Sequence, residues 1–344
     1  MTAGGVVPTV LVMGEINPDV VVTGVPALSF GQREDVTGPT TMTVGSSVAI
    51  TACGLARLGT PTGIVGVVGD DAFGDFMLDR LRRHGVDVAL VRTVVGGRTG
   101  SSVILVRDAD TGDRQILTDP GVMGDLRADD LLLGDVPQTR HLHIGSWFLH
   151  TGAVHDLPGV LARARSLGMT TSVDPNDDPA RQWASHLGAA LPHVDVLFVN
   201  ESEALGVAGS DSGQITGSAH DAARHLLGRL APGGTVVLKA GPDGAFAFTA
   251  AGVLHVPAPT AEVVDTVGAG DTLSAAYLHA RLAGVPAEAA LRLAVAAGTL
   301  STRRSGGVEG QPTLAEATAL SAGLPCTITR EVISATPTTM RTST

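Results

Sequence analysis

Residues 265–272 read Asp265-Thr266-Val267-Gly268-Ala269-Gly270-Asp271-Thr272. Two glycines flank an alanine, so backbone N–H groups can approach a ligand without side chains in the way. From Thr272 to Leu282 the apolar residues Leu273, Ala276, Tyr277 and Ala280 fall on one face of a helix. The glycine turn is therefore read as a helix N-terminus. Such a terminus offers unpaired N–H donors and the positive end of a dipole, a setting suited to phosphate. Asp271 lies in the same turn, where a carboxylate would repel a permanently bound anion. It makes sense if the carboxylate takes a proton from an attacking hydroxyl while the N–H groups hold a phosphoryl group in transfer. The plain alternative is that Asp271 caps the helix and the glycines only make a tight turn. Two other phosphate motifs fail on spacing. A dinucleotide fingerprint needs glycine where Leu273 stands, and a Walker loop needs Gly-Lys-Ser/Thr, whereas Lys239 is the only lysine in the chain.

Outward from this turn, short apolar runs alternate with helical patterns. Thr9 to Met13, Thr62 to Val68, His141 to Gly145, Met169 to Val173, Val194 to Val199 and Thr235 to Lys239 read as strands. Ser46 to Leu58, a segment from Asp71 to His84, Val154 to Leu167, Ala219 to Leu230 and Pro286 to Arg303 read as helices, several closed by glycine. This alternation predicts an α/β fold with a mostly parallel central sheet and helices on both faces. In such sheets ligands gather at the C-terminal strand ends, where Asp174, Asn200, Lys239 and the Asp265 turn are expected. Pro26 to Val44 and Thr99 to Thr118 lack a helical period and read as β-ribbons forming a small lid. One domain is expected over residues 1–325, with lid segments at about 16–44 and 97–120. The Thr-rich residues 326–344 are expected to form a frayed tail.

Composition narrows the function. The chain has 344 residues, a net charge of −11 and 3% aromatic residues, which argues against a nucleic-acid groove. No apolar run reaches the ~18 residues of a membrane span, and Val6 to Met13 lacks the basic flank of a signal peptide, so a cytoplasmic location and no membrane partner are expected. Cys53 and Cys326 form neither a disulfide framework nor a metal cluster. His141 and His143 share a strand face, but no third ligand follows at zinc-like spacing; they read as strand-edge or pocket histidines.

The central stretch resembles a named signature. Asp-Thr-x-Gly-Ala-Gly-Asp is the C-terminal motif of the ribokinase-like (PfkB) carbohydrate kinases, matched here at Asp265, Thr266, Gly268, Ala269, Gly270 and Asp271. The resemblance implies a catalytic base at Asp271 and an anion hole from the Gly268, Ala269 and Gly270 amides. It implies that Asp19, after the first strand, holds substrate hydroxyls near Asn17. Asn200-x-x-Glu203 resembles the family motif that organises Mg²⁺ and phosphates, Glu203 through water, whereas local sequence alone reads it as a capping box. Lys239-Ala240-Gly241-Pro242-Asp243-Gly244 resembles the turn along the nucleotide, giving Lys239, Gly241, Gly244 and Thr266 as ATP-binding candidates. Asp265 and Thr266, with the turn from Arg304 to Gly307, are expected to complete a K⁺ site. The N-terminal Gly-Gly-x-x-x-Asn motif departs from type: it becomes Gly45-Ser46, with Ile50 in place of Asn. The lid-proximal Gly-Ala-Asn of many members appears as Gly121-Val122-Met123. Gly45, Ser46, Ile50 and Met123 are therefore substrate-side candidates, and two apolar replacements point to a substrate with an apolar or less hydroxylated portion.

Three readings follow. The first is an ATP- and Mg²⁺-dependent kinase acting on a hydroxymethyl group of a sugar-like small molecule, with K⁺ as activator. The second is a nucleoside kinase of the same fold. The third is a catalytically silent binding or regulatory member. A homodimer through exposed lid edges is a further expectation.

Overall fold

The computed structural model describes residues 8–27, 31–32, 34–108, 113–131, 138–183, 186–213 and 217–329. In chain order the strands are β1 (Val10–Met13), β2 (Pro18–Val22), β3 (Thr40–Val44), β4 (Thr62–Gly69), β5 (Asp87–Val94), β6 (Ser101–Asp108), β7 (Asp113–Asp119), β8 (His141–Gly145), β9 (Thr170–Asp174), β10 (Val196–Asn200), β11 (Thr235–Lys239), β12 (Ala245–Thr249), β13 (Gly252–Val256) and β14 (Thr327–Thr329). The helices are α1 (Ser47–Arg57), α2 (Ala72–Arg83), α3 (Leu157–Ser166), α4 (Leu187–Ala190), α5 (Glu201–Ser212), α6 (Ala219–Leu227), α7 (Ala269–Leu282), α8 (Ala287–Ser301) and α9 (Leu314–Ser321).

Ten strands make the main sheet in the order β14-β13-β12-β11-β10-β9-β8-β1-β4-β5. Neighbours from β11 to β5 run parallel, and the pairs from β11 outward to β14 run antiparallel. The period of two along β1 shows why its sequence is apolar throughout. Val10 and Val12 face the core under α1, α7 and α8, while Leu11 and Met13 face the one under α3, α5 and α6. A strand covered on both faces has no solvent side to mark with polar residues.

The lid is a separate sheet ordered β3-β2-β6-β7, with β2 and β6 parallel and the outer pairs antiparallel. Its strands fall within the expected segments; the turn at 109–112 and the tail beyond 329 lie outside the described residues. The tail expectation needs one correction. Thr327–Thr329 pairs with β13 as an edge strand, so ordered chain runs past 326. Sequence reading also passed over β5, β12, β13 and α9. The β12–β13 hairpin was legible as alternation in Ala245-Phe246-Ala247-Phe248-Thr249 followed by Gly252.

Parallel pairing puts one set of strand ends together. Met13 lies beside Ile144, Gly145 beside Asp174, and Asn200 beside Lys239. The N-termini of α1 and α7 come to the same end, joined by a Ser47–Asp271 hydrogen bond.

Candidate active site

Helix α7 starts at Ala269, three residues before its apolar period becomes visible, with Gly268 as N-cap at φ 72°. A Cβ on Gly268 would lie 2.6 Å from the Gly307 carbonyl oxygen, so both the left-handed backbone and the space demand glycine. No side chain caps this helix. Asp271 is not the N-cap; it sits inside the first turn, and its Oδ1 accepts a hydrogen bond from Ser47 Oγ at 2.5 Å. Burial, aided by the Asp174 carboxylate, pushes Asp271 up to about 6 against the opposing pull of Lys239 and Ser47. The turn thus pairs uncapped amides with a carboxylate able to exchange a proton near neutral pH.

Beneath it lies a buried ion pair. Lys239 Nζ, at the end of β11, donates to both oxygens of Asp174 at 2.9 and 2.8 Å. Ser274 Oγ of α7 donates to the same carboxylate at 3.1 Å. The Lys239 stem passes under Gly270, where an added Cβ would be 3.4 Å from Cδ. With its side chain 11% exposed, Lys239 is a buried strut rather than a lysine reaching to solvent. Breaking such a pair from one side would leave an uncompensated buried charge, a loss of ~3–5 kcal/mol.

Asn200 and Glu203 form a reciprocal capping box at the start of α5. Asn200 Oδ1 accepts from the Glu203 amide at 2.9 Å, and Glu203 accepts from the Asn200 amide at 2.8 Å and from Nδ2 at 2.7 Å. Burial lifts Glu203 to about 7, opposed by Lys239 and reinforced by Asp174. Past β11, Gly244 is structural, since a Cβ would fall 2.0 Å from the Val256 carbonyl oxygen. Gly241 (φ 53°) has open space on its Cβ side. Thr266 is exposed. Asp265 is tied to the facing loop: Oδ2 accepts from the Gly306 amide at 2.9 Å and from Ser305 Oγ at 3.2 Å, and Oδ1 accepts from the Val267 amide at 2.9 Å.

On the lid side a cavity of about 170 Å³ opens over the end of β1. Its polar wall includes Glu15, Asn17, Asp19, Ser46, Ser47, Ser102 and Thr118; its apolar wall is Ile104, Ile116, Met123 and Leu149. Asp19 lies directly over Gly45, where a Cβ would be 2.1 Å from Oδ1. Burial and then the Asp271 charge push Asp19 up to about 7, with Arg114 opposing. Ser46 keeps a positive φ of 68° at the position of the family's second glycine; its Oγ accepts from the Ala49 amide at 3.0 Å and donates to the Glu15 carbonyl at 2.6 Å.

Ile50 is a correction. It is 3% exposed and absent from the cavity wall, and its side chain fills the space against Gly307 and Gly268. One turn into α1, the helix has rotated that position toward the core. Met123 does line the cavity. Sequence reading missed Ser47 and Glu15, although both stand beside motif residues.

His141 lines a cavity of about 220 Å³, the pocket placement expected for it, while His143 is wholly buried. His141 and His143 both bond Ser172 Oγ at 2.7 Å on the central strand β8, not at an edge, and burial presses both down to about 3. Among the described residues no group of three or more His, Cys, Asp or Glu side chains is arranged to hold a metal ion. No described helix is long and apolar enough to cross a membrane. A larger cavity of about 270 Å³, lined by Arg57, Arg303 and Arg304 among others, shares no residue with the lid-side cavity and does not include Asp271 or Lys239.

An α/β sheet with a lid, and an uncapped glycine turn beside a buried carboxylate, match a phosphotransferase architecture. A family model described as pfkB family carbohydrate kinase matches residues 10–314, and the chain belongs to that family. An ATP-dependent ribose-1-phosphate kinase of Halopiger xanaduensis is 32% identical over 262 residues, covering 76% of this chain and 81% of that protein. A fructokinase of Klebsiella pneumoniae is 31% identical over 282 residues, covering 78% and 88%. Among solved structures, a ribokinase II of E. coli in its apo form superposes with a TM-score of 0.79 at 26% identity, covering 91% of this chain and 98% of that one. Its complex with ATP and Mg²⁺ gives 0.77 at 25%, with the same coverage. The chain is thus a sugar or nucleoside kinase of ribokinase-like fold.

Proposed function

We propose that this protein transfers a phosphoryl group from ATP to a hydroxymethyl group of a sugar or sugar-like molecule seated under the lid, with Asp271 as general base. The observation that carries the reading is the Asp271 carboxylate, held by Ser47 in the uncapped first turn of α7 and lifted to about 6. Such a group is ionised at neutral pH yet basic enough to accept a proton. The Gly268–Gly270 turn holds the transferring group by backbone N–H donors, so catalysis is mostly positioning and electrostatics. Asp19 and Asn17 grip the polar end of the substrate.

Glu203 and Asn200 fit a water-mediated Mg²⁺ role, because the carboxylate oxygens already accept hydrogen bonds from Asn200 and stay buried. Mg²⁺ on the nucleotide would neutralise phosphate charge. Gly241, with open space beside it, and Gly244 shape the strand-end turn along the nucleotide, and Asp265 with the 305–306 loop frames the K⁺ site. The apolar wall of Ile104, Ile116, Met123 and Leu149 supports the second reading, a nucleoside-like substrate with an aromatic portion.

The decisive variant is Asp271→Asn. Turnover falls at least ~10²-fold while ATP binding is retained; a variant with more than half the parent turnover would remove Asp271 as base. A divalent cation is required, and K⁺ raises the rate over a large organic cation. Equal rates in the two monovalent salts would remove the K⁺ site. Absence of ATP consumption with every sugar and nucleoside of a panel would favour a silent binding member.

A further inference from the structure

We infer that Glu309 is a positioning residue for phosphoryl transfer: its carboxylate locks lid strand β3, beside Asp19, to the 305–307 loop on which the glycine turn is built. The inference rests on the kinase reading above and goes beyond it by naming what joins the two halves of the site.

On the substrate side, β3 pairs antiparallel with β2, and Thr43 stands directly opposite Asp19. Two residues on comes Gly45, over which Asp19 lies, and then Ser46 and Ser47, the serine that holds Asp271. On the transfer side, the chain from Thr302 to Gly307 borders the glycine turn. The Thr302 carbonyl accepts from the Val264 and Asp265 amides at 2.8 and 3.1 Å, and the Gly306 amide donates to Asp265 Oδ2 at 2.9 Å. The Gly307 carbonyl then leaves no room for a Cβ on Gly268.

Glu309 joins these segments. Its Oε1 accepts from Thr43 Oγ1 at 2.9 Å, across 266 residues of sequence, and from Arg80 Nη2 of α2 at 3.2 Å. Its Oε2 accepts from the Val308 amide at 3.3 Å and lies against Gly306, where an added Cβ would clash with it and stand 3.2 Å from Thr43 Oγ1. Gly306 has a φ of 99°, so glycine lets the loop close on the carboxylate. Thr43 is only 6% exposed, and a hydrogen bond from its hydroxyl to a charged acceptor is among the stronger kinds. The Arg80–Glu309 pair is about one-third exposed on each side, and such pairs add little stability. What the carboxylate supplies is alignment. The cavity that seats the acceptor and the turn that faces its hydroxyl are held in one register, and small misplacements between reacting groups are costly in rate.

The test measures kcat and KM for a pentose, a hexose and a nucleoside with ATP and Mg²⁺, in the full chain and in Glu309→Ala, Glu309→Gln, Thr43→Val and the Glu309→Ala/Thr43→Val double variant. Glu309→Ala is expected to lower kcat/KM for the acceptor ~10-fold. Glu309→Gln, which keeps an oxygen for Thr43, should stay within ~3-fold of the parent. Thr43→Val should repeat most of the alanine loss, and the double variant should lose no more than Glu309→Ala alone, because both changes break one link. Parent-like kinetics in a folded Glu309→Ala variant overturn the inference, as do additive losses in the double variant or a glutamine variant as impaired as alanine. Should Glu309→Ala fail to fold, Thr43→Val decides. Amide hydrogen exchange without ligands keeps the two readings apart. Thr43→Val should speed exchange over residues 305–308 at least ~5-fold and leave α6 unchanged. If exchange rises but no compound is phosphorylated, the kinase reading falls and the link between lid and loop stands. Phosphorylation by the parent with exchange over 305–308 unaltered in Thr43→Val sinks the link and leaves the kinase reading.

Discussion

Two helix-capping turns share a positive φ but differ in ψ, 122° at Ser46 and 4° at Gly268, and they use it differently. Gly268 opens α7 at φ 72°, and Ser46 opens α1 at φ 68°. At Gly268 a side chain is excluded, because its Cβ would press on Gly307 and Ile50. At Ser46 there is room, and the hydroxyl bonds the Ala49 amide and the Glu15 carbonyl. At Gly268 the close approach of the Gly307 carbonyl adds to the positive φ in requiring glycine. The consequence is a division of labour between two helix N-termini. The amides of α1 are occupied, the Ala49 N–H by Ser46 and the Ser47 N–H by Glu15. On α7 no side chain caps the turn; the Ala269 N–H turns back to the Thr266 carbonyl at 3.3 Å, and the next amides of the first turn have no side-chain acceptor.

Three perturbations test this contrast, the largest first. Gly268→Ala should lower turnover more than ~10-fold and cost ~1–3 kcal/mol of stability, since it combines a clash with a strained backbone. Thermal unfolding and steady-state rates read both; an alanine variant close to the parent would mean that Gly307 gives way and that space is not the constraint.

The next effect is on pH dependence. The specificity constant should climb through about pH 6 and level off above it, as Asp271 loses its proton. Stability moves oppositely for the same group. Its folded value, about 6, lies above the ordinary 3.8, so its contribution is present in acid and lost as pH rises through 6. Asp271→Asn should therefore melt higher than the parent at pH 8, with the advantage shrinking toward pH 4. An advantage independent of pH would place the cause elsewhere.

Ser46→Gly is the smallest change. The lost cap costs a few tenths of a kcal/mol and relief of the positive φ offsets it, so the unfolding free energy should stay within ~1 kcal/mol of the parent. A larger loss would show that the Ser46–Glu15 bond holds the lid-side cavity together.

Local features were legible and long-range ones were not. The glycine turn, the strand runs and the Asn200–Glu203 box announce themselves because backbone conformation and capping act over a few residues. Ile50 misled because spacing along a motif says which turn of a helix a residue occupies, not which way the helix is rotated against its neighbours. The role of Lys239 was equally hidden: its partner, Asp174, ends a strand 65 residues away.

By itself the sequence determined the α/β class, the lid segments, the family and the glycine turn with its carboxylate, since each is written in a contiguous run of residues. Only the tertiary structure decided that Lys239 is a buried strut, that Ile50 belongs to the core, and that Ser47 holds Asp271. It also brought Glu15 into the cavity wall. Burial and charge proximity set these outcomes, and both depend on which distant segments the sheet order brings together.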